Sequence, residues 1–388
     1  MRIFISTGEV SGDLQGALLV EALQRQAAAG CKLEIVALGG DRMKSAGATL
    51  LGNTIGIGSI GTWEALPFVL STFKIQRRAK QYLQQHPPDL VVLIDYAGAN
   101  LPLGNYIRRQ MPQVPIVYYI APQMWVWWSN QRDIKRLVEM TDRILSIFPQ
   151  EASFFQARGA TVSWVGHPLL DRMQNAPSRT QARARLGISP EQLSIALIPA
   201  SRRQELKYLL PVIFEAAQAI QEKLPQVHFW IPLSLEVYRQ PIEQAIERYG
   251  LQATILSGQT LEAIAAADLA ITKSGTVNLE IALLNVPQVV LYRVSRVTQW
   301  VAYKLLNFSV TFFSPPNLVV NKAIVPELLQ ERATPENITR AALELLLDPQ
   351  RRQQTLADYT LMRSCLGEVG VSDRAAKEIL QMLQSRLN

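Results

Sequence analysis

The segment Ala270–Glu280 limits the fold of this chain most strongly, because a strand, a tight turn and a helix follow one another without a gap. The apolar run Leu269–Ile271 predicts a buried strand, and the apolar residues after the turn recur on one helical face. In α/β proteins such a junction aims unpaired N–H groups and the positive end of the helix dipole at a phosphate. Ser274, Gly275 and Thr276 let an anion approach the backbone, so the sequence predicts a phosphate-binding turn here.

Glu280 lies among apolar residues of the same predicted helix, so its carboxylate is expected to be partly buried and to need hydrogen-bond donors. The hydroxyl groups of a ribose would supply such donors. A glutamate near a helix N-terminus is also favoured by ~0.3–1 kcal/mol without any ligand. The turn alone leaves both interpretations open.

The rest of the chain alternates strands and helices, which predicts an α/β protein with parallel, doubly wound sheets and ligands beyond the carboxyl ends of the strands. The first strand, Arg2–Thr7, leads into the glycine turn Gly8–Asp13. In this turn Ser11 is a candidate N-cap, and Gly12 allows close approach of a packing group or a ligand. A GxGxxG match at 56–61 follows two strand–helix units rather than the first strand, so it does not predict dinucleotide binding.

With 388 residues the chain is expected to form two domains, 1–170 and 171–388. Its net charge of +7, from 39 Lys and Arg against 32 Asp and Glu, suits phosphates or an anionic membrane surface as partners. Nucleic acid is disfavoured, because aromatic residues are not paired with dense basic runs. The two cysteines have no CxxC spacing, which favours a reducing compartment. No signal segment or membrane-spanning stretch is recognisable, so a cytosolic or peripheral protein is expected.

Asp95 is the candidate for catalysis, because it directly follows the predicted strand Asp89–Ile94. α/β enzymes place reacting carboxylates at this end of a strand. A free aspartate ionises near ~3.9, so Asp95 would be charged at neutral pH and able to accept a proton. The alternative is a structural aspartate that caps the following turn.

Two segments that mix aromatic, apolar and basic residues, Trp63–Tyr82 and Arg296–Phe313, are candidates for contact with an anionic lipid surface. A core-facing helix with a solvated basic end explains the first of them equally well. The loop Ala121–Trp128 holds three of the seven tryptophans. Such a cluster could stack on a sugar, meet acyl chains or fill a gap between domains.

A second anion site is predicted after the strand Leu193–Ile198. Ser201 and Gln204 form a capping box, so a helix is expected to begin there. Arg202 and Arg203 then lie in its first turn, where each cation opposes the helix dipole by ~0.3–1 kcal/mol. The pair makes physical sense if an anion binds, and arginine suits bidentate phosphate contacts.

Six motifs follow one another along the chain: Gly8–Leu14, Tyr118–Trp127, Val165–Leu169, Ile198–Arg202, Lys273–Glu280, and Pro316–Leu318 with Val325–Glu327. In this order they resemble the lipid-A-disaccharide synthase family, and the resemblance extends over nearly the whole chain. It implies the GT-B fold, in which two Rossmann-like, doubly wound domains face a central cleft and helices end the chain. The N-terminal domain would face the acceptor and the membrane, and the C-terminal domain would bind the UDP-sugar.

The resemblance also implies a reaction: metal-independent, inverting transfer of 2,3-diacylglucosamine from UDP to the 6-hydroxyl of 2,3-diacylglucosamine 1-phosphate, without a cofactor. By the same resemblance Asp95 is the general base and Arg202 is needed for activity. The donor would contact Ser201, Arg202, Ser274, Gly275, Thr276, Glu280 and Asn317. The acceptor would contact Gly8, Glu9, Ser11, Gly12, Asp13, Asn100, Gln123 and Trp125. Members of the family work at the cytosolic face of the inner membrane, and some form homodimers through C-terminal elements.

The chain departs from the family beside the expected base. Where the family reads Pro-Asp-Phe-Asn, this chain has Ala97, Gly98, Ala99 and Asn100, so a second carboxylate and an aromatic ring are missing. Two alternatives therefore stay open. One is a GT-B enzyme that uses another UDP-sugar, such as a GlcNAc transferase or a 2-epimerase. The other is a membrane-associated protein that binds a UDP-sugar without catalysis.

Overall fold

The computed structural model describes residues 1–27, 32–54, 66–127, 130–200, 203–294 and 311–385. The chain divides into two compact units. The first unit is Met1–Asp171 together with Leu366–Asn388, and the second is Arg172–Cys365. All strand pairings between the described residues are parallel, as the alternation of strands and helices predicts.

The first unit is one parallel sheet with helices packed against it. Its described strands are β1 (Arg2–Ser6), β2 (Glu34–Gly39), β3 (Thr49–Asn53), β4 (Leu90–Ile94), β5 (Ile116–Tyr119), β6 (Arg143–Ser146) and β7 (Val162–Trp164). Its helices up to the unit boundary are α1 (Val10–Gln26), α2 (Asp41–Ser45), α3 (Leu66–Gln85), α4 (Ala97–Gln110), α5 (Met124–Trp127), α6 (Gln131–Met140), α7 (Pro149–Gln156) and α8 (Leu169–Met173), which runs across that boundary. The strands lie in the order β3-β2-β1-β4-β5-β6-β7.

The order of the strands reverses between β1 and β4, which are hydrogen-bonded neighbours. Every residue of β4 is buried, as are the last four of β1, because helices cover both faces of the sheet. The carboxyl ends of these two strands meet at one edge of the sheet. In doubly wound proteins ligands bind at such a reversal point.

The second unit repeats this plan. Its described strands are β8 (Ser194–Ile198), β9 (His228–Leu233), β10 (Ala253–Ser257), β11 (Leu269–Lys273), β12 (Gln288–Tyr292) and β13 (Glu327–Leu329). Its helices are α9 (Arg179–Leu186), α10 (Arg203–Lys223), α11 (Arg239–Tyr249), α12 (Thr260–Ala266), α13 (Val277–Leu283), α14 (Pro315–Val320), α15 (Pro335–Leu347) and α16 (Pro349–Leu366), with 3-10 turns at Glu236–Tyr238 and Gln330–Arg332. The strand order is β10-β9-β8-β11-β12-β13, so the reversal point lies between β8 and β11.

The last helix, α17 (Val371–Gln384), returns to the first unit and packs against α1. The carboxylate of Asp171 accepts hydrogen bonds from the first backbone N–H groups of this helix, at Gly370 (2.5 Å) and Ser372 (3.1 Å). Arg25 pairs with Asp373 at 2.8 Å. The predicted C-terminal domain 171–388 therefore differs from the observed second unit, because its last residues complete the first unit instead.

Several predicted segments lie partly or wholly outside the described residues. These are the GxGxxG match at 56–61, the start of Trp63–Tyr82, most of Arg296–Phe313, and Trp128, Ser201 and Arg202. In the described part of α3, Arg77 and Arg78 are exposed, whereas Ala79 and Leu83 are buried in the core. This part of the helix matches the alternative of a core-facing helix with a solvated basic end. Among the described residues, no helix combines the length and apolarity that crossing a membrane requires.

Candidate functional site

Asp95 directly follows β4 at the reversal point of the first sheet, and its backbone is left-handed, with φ of 49°. Tyr96 is also left-handed, with φ of 39°, and forms the N-cap of α4. Two consecutive non-glycine residues in this region are uncommon, and such strained positions cluster at functional sites. The turn thus places a carboxyl group at the sheet edge, as the sequence predicts.

Three side chains hold this strained turn in place. The Tyr118 hydroxyl donates to the carbonyl oxygen of Asp95 at 2.7 Å. The Asn100 amide nitrogen donates to the carbonyl oxygens of Asp95 and Ile94, both at 2.9 Å. The Asn100 side-chain oxygen accepts from the hydroxyl of Ser6 at 2.8 Å. β1, β4 and β5 are therefore tied together around Asp95.

The side chain of Asn100, an expected acceptor residue, is engaged inside the protein. Its side chain is fully buried, and both its oxygen and its nitrogen are engaged in hydrogen bonds within the first unit. Contact with the acceptor would require breaking these bonds, and an unpaired buried amide is costly. In this structure Asn100 holds the Asp95 turn, and its contact with the acceptor stays a prediction.

The environment of Asp95 changes its acidity. Burial raises the pKa of the Asp95 carboxyl above its ordinary value, while a hydrogen bond from the backbone N–H of Tyr96 lowers it, and burial has the larger effect. A carboxylate with a raised pKa is a stronger base than a free aspartate. The half-buried side chain is therefore suited to accept a proton.

The neighbouring glycine turn is shaped by internal packing. A Cβ on Gly8 would lie 2.0 Å from the ring of Tyr96, and a Cβ on Gly12 would lie 1.8 Å from the hydroxyl oxygen of Thr7. Both glycines are therefore required by close contacts inside the unit, whatever they do for a ligand. The helix after the turn begins at Val10 with Glu9 as its N-cap, so the prediction that Ser11 is the N-cap is wrong.

The two remaining polar groups of this turn differ in exposure. Asp13 is buried, and its carboxylate accepts from the backbone N–H groups of Gly40 (2.8 Å), Arg42 (3.2 Å) and Met43 (3.2 Å). It caps the N-terminus of α2 from outside that helix, so the expected contact between Asp13 and the acceptor would break a structural cap. Ser11, in contrast, is exposed and lies free of this cap.

The tryptophan loop contributes one ring whose placement is described in full. Trp125 packs against Phe148 with ring centroids 5.9 Å apart, and its buried Nε1 has no hydrogen-bond partner among the described residues. Gln123, at the start of this loop, is exposed. Phe148 in turn packs on His167. Burial lowers the pKa of His167 to about 4, so this imidazole stays neutral, and Nδ1 accepts from the Leu169 N–H.

Glu151 is a buried acid that sequence reasoning missed. Its carboxylate accepts from the backbone N–H of Ile147 at 2.8 Å and lies at the third position of α7. Burial raises the pKa of Glu151 to about 8, and the charge of Asp95 contributes to this shift. The only sequence signal is an acid in a first helical turn, which is normally read as capping alone.

At the reversal point of the second sheet, the turn Lys273–Thr276 follows β11 as predicted. The hydroxyl of Ser274 donates to the carbonyl oxygen of Phe313 at 2.8 Å. The backbone N–H of Gly275 donates to Asn278 Oδ1 at 2.7 Å, so one predicted phosphate donor already has a partner. Thr276 precedes α13 as its N-cap.

Lys273 adds a cation to this turn that sequence reasoning did not assign. A Cβ on Gly275 would lie 2.6 Å from the Lys273 Nζ, so the ammonium group is folded over the backbone of the turn. The same Nζ lies 4.0 Å from the carboxylate of Glu205. A glycine at position 275 therefore lets the Lys273 ammonium group approach the turn, and it would let an anion approach in the same way.

Glu280 is buried, as predicted, and its carboxylate is paired with the guanidinium group of Arg172. Arg172 is a further residue that the sequence did not reveal, since it lies far from Glu280 in the chain. The pair satisfies part of the need for hydrogen-bond donors that the ribose was expected to meet. Glu280 remains at the turn but does not depend on a ligand for its partner.

Asn317 is used within the protein. Its side-chain oxygen accepts from the backbone N–H groups of Ile324 (2.8 Å) and Val325 (2.9 Å), and its nitrogen donates to Glu327 (2.7 Å). With 1% of its surface exposed, the amide organises the loop before β13. Donor contact through this amide would break these bonds. The expected donor residues Ser201 and Arg202 directly follow Ala200 at the end of β8 and lie outside the described residues.

Comparison with known sequences gives one family. Residues 3–381 match the profile described as lipid-A-disaccharide synthetase. The lipid-A-disaccharide synthase of Gloeothece citriformis is 64% identical over 381 residues, covering 98% of this chain and 99% of that protein. The enzyme of the same name from Geobacter sulfurreducens is 36% identical, covering 98% of this chain and 97% of that protein.

Solved structures of the same fold are more distant. UDP-GlcNAc 2-epimerase from Neisseria meningitidis, bound to UDP-GlcNAc, aligns with a TM-score of 0.64 at 14% identity, over 99% of this chain and all of that one. MurG from Acinetobacter baumannii aligns with a TM-score of 0.59 at 16% identity, over 99% of both chains. Together with the two parallel sheets, these likenesses show the GT-B fold.

Proposed function

This chain belongs to the lipid-A-disaccharide synthase family, and from this premise we propose that Asp95 removes the proton from the attacking hydroxyl of the acceptor. The chain is a glycosyltransferase of lipid A synthesis, the activity that its curated relatives carry in their names. The substrates that we propose are UDP-2,3-diacylglucosamine as donor and 2,3-diacylglucosamine 1-phosphate as acceptor. Transfer would release UDP with inversion at the donor carbon.

The strained, half-buried Asp95 is the observation that supports this role most directly. A left-handed aspartate costs free energy, and the hydrogen bonds of Asn100 and Tyr118 to its carbonyl oxygen offset that cost. Burial raises the pKa of its carboxyl, which favours proton acceptance. A general base at this position typically accelerates transfer by ~10²–10⁴-fold.

UDP leaves as an anion, so the donor side must stabilise negative charge as it develops. We propose that Lys273 and Arg202 supply the positive charge that stabilises it, with Ser274 and Thr276 lining the turn. Arg172 pairs with Glu280 and would hold its carboxylate in place, so that it can also accept hydrogen bonds from the ribose hydroxyls. This assignment includes no metal ion or cofactor, and transfer in excess EDTA would test that part of it.

The substrates are lipids, so the enzyme must reach a membrane surface. We propose peripheral binding at the cytosolic face of the inner membrane, with the net charge of +7 favouring anionic lipids. Sedimentation with anionic and with neutral vesicles tests this. Binding that does not depend on vesicle charge would contradict an electrostatic attachment.

The experiment for Asp95 measures UDP release from UDP-2,3-diacylglucosamine in detergent, with and without the acylated acceptor. Acceptor-dependent release that Asp95→Asn abolishes, while UDP binding and thermal stability persist, is the expected result. Asp133→Asn is the matched control, because Asp133 is a surface residue of α6 that pairs with Arg136. Full activity of Asp95→Asn would show that another group is the base. UDP binding without any release by the wild type would favour a non-catalytic protein.

A further inference from the structure

Tyr96 occupies a strained position in the turn that carries the proposed base. Its backbone is left-handed, with φ of 39° and ψ of 71°, and it directly follows the left-handed Asp95. Glycine, asparagine and aspartate tolerate this region, whereas a bulky residue there is an outlier. The role of Asp95 as a base accounts for the first strained residue. The mechanism proposed above does not use the side chain of Tyr96.

The protein also accommodates the ring of Tyr96 at a second position. A Cβ on Gly8 would lie 2.0, 2.4 and 2.6 Å from the ring atoms Cδ1, Cε1 and Cγ of Tyr96, so one edge of the ring rests on the Gly8 backbone. Only glycine leaves room for this contact. The ring therefore joins the Asp95 turn to the glycine turn, and the contact fixes the direction of the side chain.

The hydroxyl group at the end of this ring is not used inside the protein. None of the described residues forms a hydrogen bond with it. The nearby Tyr118 differs, since its hydroxyl donates to the Asp95 carbonyl oxygen at 2.7 Å. Strain at position 96 and a glycine at position 8 are thus retained for a side chain whose polar end has no internal partner. Strained residues of this kind cluster at functional sites.

The surroundings of the Tyr96 hydroxyl keep it protonated. Burial and, to a smaller extent, the charge of Glu9 raise its pKa above the ordinary value of 10.0. A neutral phenol can donate a hydrogen bond, so this group is suited to bind a substrate oxygen rather than to act as a second base. Glu9 is the N-cap of α1 and is itself expected to contact the acceptor. The hydroxyl therefore lies near the glycine turn, where the acceptor is expected.

We propose that the Tyr96 hydroxyl donates a hydrogen bond to the 4-hydroxyl of the acceptor sugar. The inference rests on the proposed function, which supplies a glucosamine that is acylated at positions 2 and 3 and phosphorylated at position 1. Because the 6-hydroxyl reacts, the 4-hydroxyl is the remaining hydroxyl of that sugar. Its carbon is bonded to C5, which carries the reacting hydroxymethyl group. Two neighbouring residues would thus bind neighbouring parts of one sugar, Tyr96 for orientation and Asp95 for proton removal.

The first experiment compares the wild type and Tyr96→Phe with the natural acceptor and with its 4-deoxy analogue. Phenylalanine keeps the ring on Gly8 and removes only the hydroxyl. We expect kcat/KM for the natural acceptor to fall about tenfold in Tyr96→Phe, because the 4-hydroxyl loses its partner. The wild type should lose a similar factor with the 4-deoxy analogue. The two changes together should cost no more than either alone, since both remove the same bond.

Tyr106→Phe is the matched control, because Tyr106 is another half-buried tyrosine of α4, with its ring beneath the Lys80 ammonium group. It should behave as the wild type with both acceptors, and neither variant should change the KM for the donor. Unchanged kinetics in Tyr96→Phe would overturn the proposal and leave the ring as a structural contact with Gly8. Losses that multiply when the two changes are combined would also overturn it, because Tyr96 would then act without touching the 4-hydroxyl.

A second measurement does not depend on turnover. Calorimetric titration of each acceptor in detergent, with UDP in place of the donor, measures binding without transfer. The wild type should bind the natural acceptor several-fold more tightly than Tyr96→Phe does, and the 4-deoxy analogue as weakly as that variant. Equal affinities in all four combinations, or no binding of the acceptor by the wild type, would overturn the proposal. If the wild type binds the acceptor but transfers nothing to it, the proposed function fails, and this comparison alone decides whether Tyr96 recognises the 4-hydroxyl.

Discussion

The backbone of Asp95, the proposed base, is held in place by residues that do not themselves react. Its left-handed backbone belongs to a class of conformations that cost ~1–3 kcal/mol each. Buried hydrogen bonds from Asn100 and Tyr118 to its carbonyl oxygen hold that conformation. The carboxyl group is left to face the sheet edge. Orientation of the proposed base is therefore a property of its neighbours as much as of Asp95.

The first prediction concerns Asn100. Asn100→Ala should lower kcat about tenfold or more while leaving the KM for the donor nearly unchanged, because the Asp95 turn loses two hydrogen bonds. It should also cost ~1–3 kcal/mol of folding free energy, because buried carbonyl oxygens lose their donor. Steady-state kinetics and urea denaturation measure the two effects.

Asn105 provides the control for that variant. It lies on the same helix, α4, and its amide makes a hydrogen bond to the Leu101 carbonyl oxygen at 2.8 Å, within that helix. Asn105→Ala should therefore leave kcat unchanged. If both variants lost stability equally and neither lost turnover, Asn100 would be a structural residue without influence on the base.

The second prediction follows from the pKa of Asp95. Burial raises that pKa above the ordinary value of 3.8, so the base becomes protonated, and inactive, at a higher pH than a free aspartate would. The value of kcat/KM should therefore fall as the pH drops through the raised pKa. A pH profile recorded with thermal unfolding at each pH separates this loss from acid denaturation. An acidic limb at or below the ordinary value would contradict the assignment.

The raised pKa of Asp95 also affects stability. Ionisation of Asp95 favours proton acceptance but disfavours the folded state. Because the folded state holds the proton more tightly than the unfolded state, ionisation of Asp95 destabilises the fold at neutral pH. Asp95→Asn should thus be at least as stable as the wild type at neutral pH. Loss of activity in that variant then cannot be ascribed to unfolding.

At the scale of elements, apolar runs identify the central strands well. The predicted strand Leu193–Ile198 ends where β8 ends, and the strands before Asp95 and before the Ser274 turn are placed within a residue or two. The short strands β6 and β7 were not predicted, because three or four residues with polar members give no clear alternation. Pairing with neighbouring strands, rather than local pattern, makes them strands.

In the candidate site, too, some residues were predictable from the local sequence and others were not. Position at the end of a strand identified Asp95 and the Ser274 turn, because parallel topology places the carboxyl ends of neighbouring strands at one edge of each sheet. The internal roles of Asp13, Asn100 and Asn317 were not predictable, since they depend on partners that tertiary folding supplies. The pair of Arg172 and Glu280 joins residues 108 positions apart, which no local spacing reveals.

The third prediction tests the cap that one helix provides to another. Asp13→Ala should destabilise the protein by ~1–3 kcal/mol, because three backbone N–H groups at the start of α2 lose their acceptor. Asp41→Ala is the control, because Asp41 is an exposed acid in the first turn of the same helix. Urea denaturation should show a change within ~0.5 kcal/mol for that variant. A higher acceptor KM for Asp13→Ala without any loss of stability would instead indicate direct binding.

At the scale of the whole molecule, the chain is not a simple succession of two domains. It leaves the first unit at Asp171 and returns to it at Leu366, so the second unit is inserted between two segments of the first. The buried face of α17, which includes Ile379, completes the core of the first unit beside α1. Stability of the first unit should therefore depend on residues at the far end of the sequence.

The fourth prediction makes this dependence measurable with two matched substitutions. Ile379 on α17 and Ile338 on α15 are both fully buried, but they belong to different units. Each change to alanine should cost ~2–5 kcal/mol locally, from lost burial and the cavity that remains. Hydrogen exchange should therefore speed up in β1 and α1 for Ile379→Ala, and in β8 and α10 for Ile338→Ala. If Ile379→Ala instead sped up hydrogen exchange in the second unit, α17 would stabilise the second unit rather than the first. Faster exchange throughout the chain in both variants would mean that the two units unfold as one.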